Sequence, residues 1–153
     1  MTLETILKGI EREVSNDSIR EPTGKYVVDG LMPKVVLCPR DVNELSVMMR
    51  GISRERLSVI PMVNGSKTFI GNVPKAYDVA LDLSRVHRVI EPDPEEMVGV
   101  YGVSASFNEV QGALRRVSRR LPIDPPLSSR SSIGGIFSCN LFGPLAYTFM
   151  TTR

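Results

Sequence analysis

Five consecutive residues, Asn64, Gly65, Ser66, Lys67 and Thr68, have side chains suited to holding an anion. They follow the apolar pair Val59 and Ile60, which is stopped by Pro61, and Gly71 closes the stretch. Gly65 lets a backbone approach a phosphate closely. Successive N–H groups in such a turn form an anion-binding nest. Ser66 and Thr68 add hydroxyl donors, and Lys67 adds a positive charge. An ordinary surface turn uses the same residue types, so the stretch decides nothing alone. A second group follows later in the chain: Ser132, Ile133, Gly134 and Gly135, then Asn140 and Gly143. Adjacent glycines make either a simple turn or a backbone that lies flat against a planar or phosphorylated ligand. Cys38 and Cys139 show no metal-ligand spacing and read as free thiols, and no metal site is expected. The lone His87 reads as an exposed turn or strand position.

Flanking patterns supply the elements that must position these groups. Leu3, Ile6, Leu7, Ile10 and Val14 repeat at the helical period, predicting a helix over 2–15. Residues 16–31 hold Pro22, Gly24 and Gly30 and read as loop. A short strand over 34–37 ends before Pro39. Asp41 with Glu44 three residues on resembles a capping box, and an apolar face of Val42, Leu45, Met48, Met49 and Ile52 predicts a helix over 42–53. A buried strand over 57–60 then feeds the Asn64 loop. Strand, helix, strand makes a βαβ unit with a parallel pair. Residues 78–83 alternate, with Val79, Leu81 and Leu83 on one side. Strands over 86–91 and 97–103, with a turn at 92–95, predict an antiparallel hairpin. Ser106 with Glu109 caps a helix whose face is Phe107, Val110, Leu114, Val117 and Leu121. Arg115, Arg116, Arg119 and Arg120 take its other side, as a solvated face or as a patch for an acidic partner chain.

Composition narrows the function classes. The chain has 153 residues, 42% apolar and 24% charged, as in an ordinary soluble globular protein. A net charge of +2 gives no mandate for nucleic acid, and the absence of tryptophan argues against base-stacking platforms. No apolar run approaches the roughly 20 residues of a membrane span. The start, Met1 to Glu4, lacks the regions of a signal peptide, so a cytoplasmic location is expected.

In order along the chain, residues 36–41 (VLCPRD), 61–71, 81–86 (LDLSRV), 101–103 leading to Ser106, 124–126 (DPP), 132–135 (SIGG) and 140–144 resemble the FAD-binding domain of the vanillyl-alcohol-oxidase and p-cresol-methylhydroxylase superfamily. The Gly65-Ser66-Lys67 spelling and the Gly143-Pro144 ending are similar to the smaller FAD-binding subunits of glycolate oxidase. The resemblance implies an α+β fold of the FAD-binding type 2 kind: a small parallel βαβ piece, then a mainly antiparallel piece, with the fold incomplete. It divides the chain into an N-terminal helix and loop, 1–33, and a FAD-binding portion, 34–153. It places Pro61, Asn64, Gly65, Ser66, Lys67 and Thr68 at the pyrophosphate, Pro126, Ser132, Ile133, Gly134 and Gly135 on the flavin side, and Asn140 and Gly143 in the pocket below. It names no catalytic residue.

The implied function is the N-terminal FAD-binding part of a flavin-dependent 2-hydroxy-acid oxidase or dehydrogenase, with hydride transfer to the flavin. The alternative is a flavin-free subunit that keeps the fold to bind a partner. No His or Cys stands in the loop, so FAD is expected noncovalently. The loop carries fewer glycines than the family's, and the chain stops at Arg153, so the isolated chain is expected to bind FAD weakly or not at all. A dimer, or a separate subunit supplying the missing half, is expected to cover the apolar tail from Ile133 to Met150.

Overall fold

The computed structural model describes residues 14–86, 88–145 and 148, so the helix expected over 2–15, His87, and the tail residues Tyr147, Phe149 and Met150 lie outside the described residues apart from Val14 and Ser15. The chain forms two compact units, Met1–Val86 and His87–Arg153. No helix among the described residues is long and apolar enough to cross a membrane.

The first unit is a four-stranded mixed sheet. Its strands are β1 (Ile19–Arg20), β2 (Val35–Leu37), β3 (Val59–Met62) and β4 (Val79–Asp82), in the order β1-β2-β4-β3. The helix α1 (Val42–Arg54) links β2 to β3. The expected βαβ unit is present and parallel, but its two strands do not pair with each other. β4 lies between them, parallel to both, while β1 adds an antiparallel edge. This explains why β4 is buried at all four positions rather than on alternate ones. Val79 and Leu81 face α1 with Val35, Leu37, Met48, Ile52 and Leu57. On the opposite face, Ala80 packs with Val36, Cys38, Met62, Tyr77 and Tyr26. A central strand covered on both sides reads as a continuous buried run.

Two details depart from the sequence pattern. β3 does not stop at Pro61 but runs through it to Met62, and only Met62 is fully buried. β3 is an edge strand, where proline's missing N–H costs no ladder bond. The buried face of α1 is also narrower than expected. Met48 and Ile52 are buried, but Val42 and Met49 are exposed and Glu44 takes a buried place. Asp41 caps the helix, accepting from Glu44 N at 2.9 Å. The Glu44 carboxylate does not complete a box. It accepts from Ser15 N, Ser18 Oγ, and the Arg40 backbone and guanidinium, tying the segment before β1 to α1.

The second unit holds the hairpin β5 (Ile90–Asp93) and β6 (Val98–Tyr101), antiparallel as expected. Pro92 and Asp93 belong to β5, and the turn falls two residues later, where Asp93 accepts from Glu95 N and Glu96 N. Helix α2 (Phe107–Arg116) begins at a complete Ser106–Glu109 capping box, and Arg88 adds an ion pair to Glu109. It ends earlier than the apolar period suggests: Val117 is its cap residue, and Ser118 turns left-handed with φ 55°. A short helix, α3 (Ile133–Ser138), follows the proline-rich stretch. Ile133 and Ile136 are buried with Ala105, Phe107, Val110, Leu114 and Ile123, and Phe142 packs on that core. The expectation that the apolar tail lacks cover is therefore overturned at Ile133 and Ile136, which this unit buries by itself. Phe137 remains 52% exposed, edge-on to Phe142 at 5.7 Å between centroids.

Candidate functional site

The Asn64 stretch begins where β3 ends. Met62 pairs with Asp82, so the loop leaves the sheet at the carboxyl ends of its parallel strands. Ligands of open parallel sheets sit at that end. Gly65 has φ +64°, a left-handed conformation that side chains rarely adopt, and a Cβ there would meet nothing nearer than Thr68 Cγ2 at 4.0 Å. The glycine is thus required by conformation, and its Cβ side is open. Thr68 Oγ1 donates to Gly65 O at 3.1 Å, and Ile70 N donates to Lys67 O at 3.1 Å, which folds residues 66–69 into a turn rather than a helix. Lys67 is 8% exposed while Asn64 is exposed and Ser66 half-buried. A left-handed glycine, hydroxyls and a largely buried lysine in one tight turn fit a phosphate-bearing group.

Asp82, at the end of β4, was visible in the sequence only as part of the LDLSRV run. It is 2% exposed. Its carboxylate accepts from Tyr26 OH at 2.7 Å, Lys25 Nζ at 2.9 Å and Ser84 N at 2.9 Å. Burial pushes its pKa up, but the bonds from Ser84, Lys25 and Tyr26 outweigh burial and hold it below the usual carboxylate value. The anchor joins the loop around residues 24–26 to the strand beside the Asn64 turn. Aspartate ending an apolar strand was the only signal for it.

In the second unit, Ser132 caps α3, accepting from Gly135 N at 3.2 Å. Ile133 N donates to Ala105 O, and Gly134 N donates to Val103 O at 3.1 Å. A Cβ on Gly134 would lie 3.0 Å from both Val103 Cβ and Val103 O. The structure therefore gives Gly134 a packing reason that operates without a ligand. Pro126 is exposed and its carbonyl accepts from Ser131 Oγ at 3.3 Å. Asn140, exposed, has φ 52°, and its N–H donates to Phe137 O. Gly143 sits against Asp124, where Asp124 N donates to Phe142 O and Leu145 N donates to Asp124 Oδ1. The stretch near Pro126 and the stretch near Gly143 are thus joined through Asp124, a link with no signature in the sequence. Both cysteines are free, and no group of potential metal ligands occurs among the described residues.

Comparison with known proteins bears on what these turns hold. A family model described as FAD binding domain matches residues 33–153. The glycolate oxidase subunit GlcD of Bacillus subtilis (strain 168) is 24% identical over 122 residues, covering 80% of this chain and 26% of that protein. Among solved structures, alkyldihydroxyacetonephosphate synthase superposes with a TM-score of 0.80 at 17% identity, over 97% of this chain and 34% of that one. p-Cresol methylhydroxylase with substrate bound gives 0.70 at 15% identity, over 90% and 30%. The chain thus spans about a third or less of the relatives it matches. The shared fold is the expected α+β, p-cresol-methylhydroxylase-like one, with a parallel piece and an antiparallel piece. This chain belongs to the FAD binding domain family, and FAD is the cofactor of that domain.

Proposed function

We propose that this chain is the FAD-binding portion of a flavin-dependent 2-hydroxy-acid oxidase or dehydrogenase, of the glycolate oxidase type. The observation that carries the reading is the left-handed Gly65 turn, with Lys67 inside it, at the carboxyl end of a parallel strand in a FAD binding domain. Asn64, Gly65, Ser66, Lys67 and Thr68 hold the pyrophosphate by backbone N–H groups, hydroxyls and charge, with Pro61, inside β3, leading the chain towards them. Pro126, Ser132, Ile133, Gly134 and Gly135 serve the flavin portion, and Asn140 and Gly143 shape the backbone beneath it. When bound, the flavin accepts a hydride from the substrate. Residues that orient a substrate carboxylate or move its proton are not assigned to this chain. FAD is held noncovalently, since residues 61–71 include neither His nor Cys. The name of the matched relative, a subunit, supports the further reading that this chain works with a second subunit or a second copy. The free cysteines suit a reducing, cytoplasmic setting.

Titration of FAD followed by flavin fluorescence tests the assignment. Saturable quenching, weaker than micromolar, is expected for the chain alone, and Lys67→Met is expected to weaken it about tenfold through loss of a charge-assisted bond. A folded protein that leaves flavin fluorescence unchanged at every concentration would instead favour the flavin-free, partner-binding subunit.

A further inference from the structure

The last turn of α2 and the chain beyond it form a concavity of about 680 Å³, lined by Arg115, Arg119, Arg120, Leu121, Pro122 and Leu145 among others. Helix chemistry accounts for only part of its charge. Arginines in a last turn offset the partial negative charge of the helix end, which suits Arg115 and Arg116. Arg119 and Arg120 lie past that end, where the dipole does not call for them. None of the six ion pairs among the described residues uses Arg115, Arg116 or Arg119. Arg119 is nevertheless held in place: its Nε and Nη2 donate to Pro94 O at 3.2 and 3.0 Å. The wall is equally set. Gln111 donates to Leu121 O at 2.9 Å and accepts from Leu121 N at 3.1 Å, which fixes its amide against the main chain. Asp124 Oδ1 accepts from Leu145 N at 2.7 Å, and none of the six ion pairs among the described residues uses Asp124. The result is a preordered concavity with guanidinium groups on its rim and Leu121, Pro122, Ile123 and Leu145 below.

We infer that this groove docks an acidic, partly apolar segment of a partner polypeptide. Charge complementarity selects the acid: guanidinium groups take carboxylates, and the described residues supply Arg115 and Arg119 with none. The apolar floor selects a peptide rather than a nucleic acid, because the lining holds no aromatic ring on which a base could stack. Its volume suits several side chains rather than one small anion. The segment lays carboxylates against Arg115 and Arg119 and aliphatic side chains on Leu121 and Leu145.

Fluorescence anisotropy of a labelled peptide of alternating glutamate and leucine, titrated with the full chain, tests this. Saturable binding is expected, lost in about 0.5 M salt and weakened about tenfold in Arg115→Gln/Arg119→Gln. Arg50→Gln/Arg54→Gln, on α1, is expected to leave it unchanged. Should the double variant melt early, Arg115→Gln alone gives the same reading, since Arg115 has no ion pair among the described residues. Equal binding of a glutamine–leucine peptide, an equal loss in the α1 variant, no change in either groove variant, or tighter binding of a single-stranded oligonucleotide would each overturn the inference.

Discussion

Gly134 of α3 lies directly on Val103, its N–H bonded to the Val103 carbonyl and its missing Cβ replaced by the Val103 side chain and backbone. The contact seats α3 against the segment that leads from β6 into α2. A methyl group there is tighter than ordinary packing allows, so Gly134→Ala is expected to destabilise the second unit by about 1–2 kcal/mol. The nearest atoms are Val103 Cβ, its carbonyl oxygen and its Cα, all of which Val103→Ala would keep. Only Val103→Gly removes the Cβ, so Gly134→Ala is expected to cost less in a Val103→Gly background, as measured by urea denaturation, and as much as before in a Val103→Ala background. Simple additivity with Val103→Gly would show that Gly134 matters for some reason other than this contact.

Acid should unfold the first unit through Glu44. Burial works against its ionisation, yet the Arg40, Ser18 and Ser15 donors prevail and hold it at about 2, down from 4.5. A folded-state pKa below the unfolded value adds stability that is complete above about pH 4.5 and is lost as pH falls towards about 2. Asp78, paired with Lys34 and Ser58, and Glu109, in its capping box, are likewise held at about 2. Glu44 dominates because its side chain is 7% exposed, against 19% for Asp78 and 38% for Glu109, where solvent screens the gain. Glu44→Gln is expected to cost about 1–3 kcal/mol at neutral pH and to flatten the acid limb of a stability–pH profile. A variant whose acid limb keeps its full slope would place the titrating group elsewhere.

These residues also show which parts of the fold could be read ahead of it. Both caps, Asp41 and Ser106, were legible because a cap and the residue three places on are neighbours in any helix start. The insertion of β4 between β2 and β3 was not, because strand order follows from which strand is coverable on both faces. Asp82 hid that fact by looking like the polar side of an alternating strand. Pro61 read as a strand stop, and only the edge position of β3 makes it admissible. The end of α2 was overrun because Ser118, not glycine, takes the left-handed turn. At the candidate site, Gly65 was readable from its neighbours in sequence. Gly134 was singled out too, but its packing against Val103 was not readable, since Val103 lies far earlier in the chain, ahead of α2.

Tyr77 carries a hydroxyl that is buried without a hydrogen-bond partner among the described residues, within the cluster of Tyr26, Val36, Cys38, Met62 and Ala80. Burial pushes its pKa up to about 12. A buried donor left unmade costs free energy, and removing it keeps the ring's packing. Tyr77→Phe is expected to be neutral or stabilising by up to about 1 kcal/mol, read as a higher melting temperature. A lower melting temperature would mean that the hydroxyl has a partner, such as a buried water.

Gly65→Ala separates the two demands on the Asn64 turn. The left-handed backbone penalises the new Cβ by about 1–2 kcal/mol whatever surrounds it, while its open surroundings exclude a clash with the protein. A ligand phosphate approaching that side would meet the methyl group. Gly65→Ala is therefore expected to lower the melting temperature modestly and to weaken FAD by a larger factor than the strain accounts for, about tenfold or more. Gly30 has φ +80°, and a Cβ added there would likewise meet nothing within 4 Å. Gly30→Ala should thus show comparable strain at a position to which no phosphate contact is assigned. Measuring FAD quenching and thermal stability on both variants makes the comparison internal. Equal losses of FAD affinity in the two would reduce Gly65 to a conformational hinge and remove the pyrophosphate role assigned to it. A selective loss at Gly65, with matched melting temperatures, is the outcome that role requires.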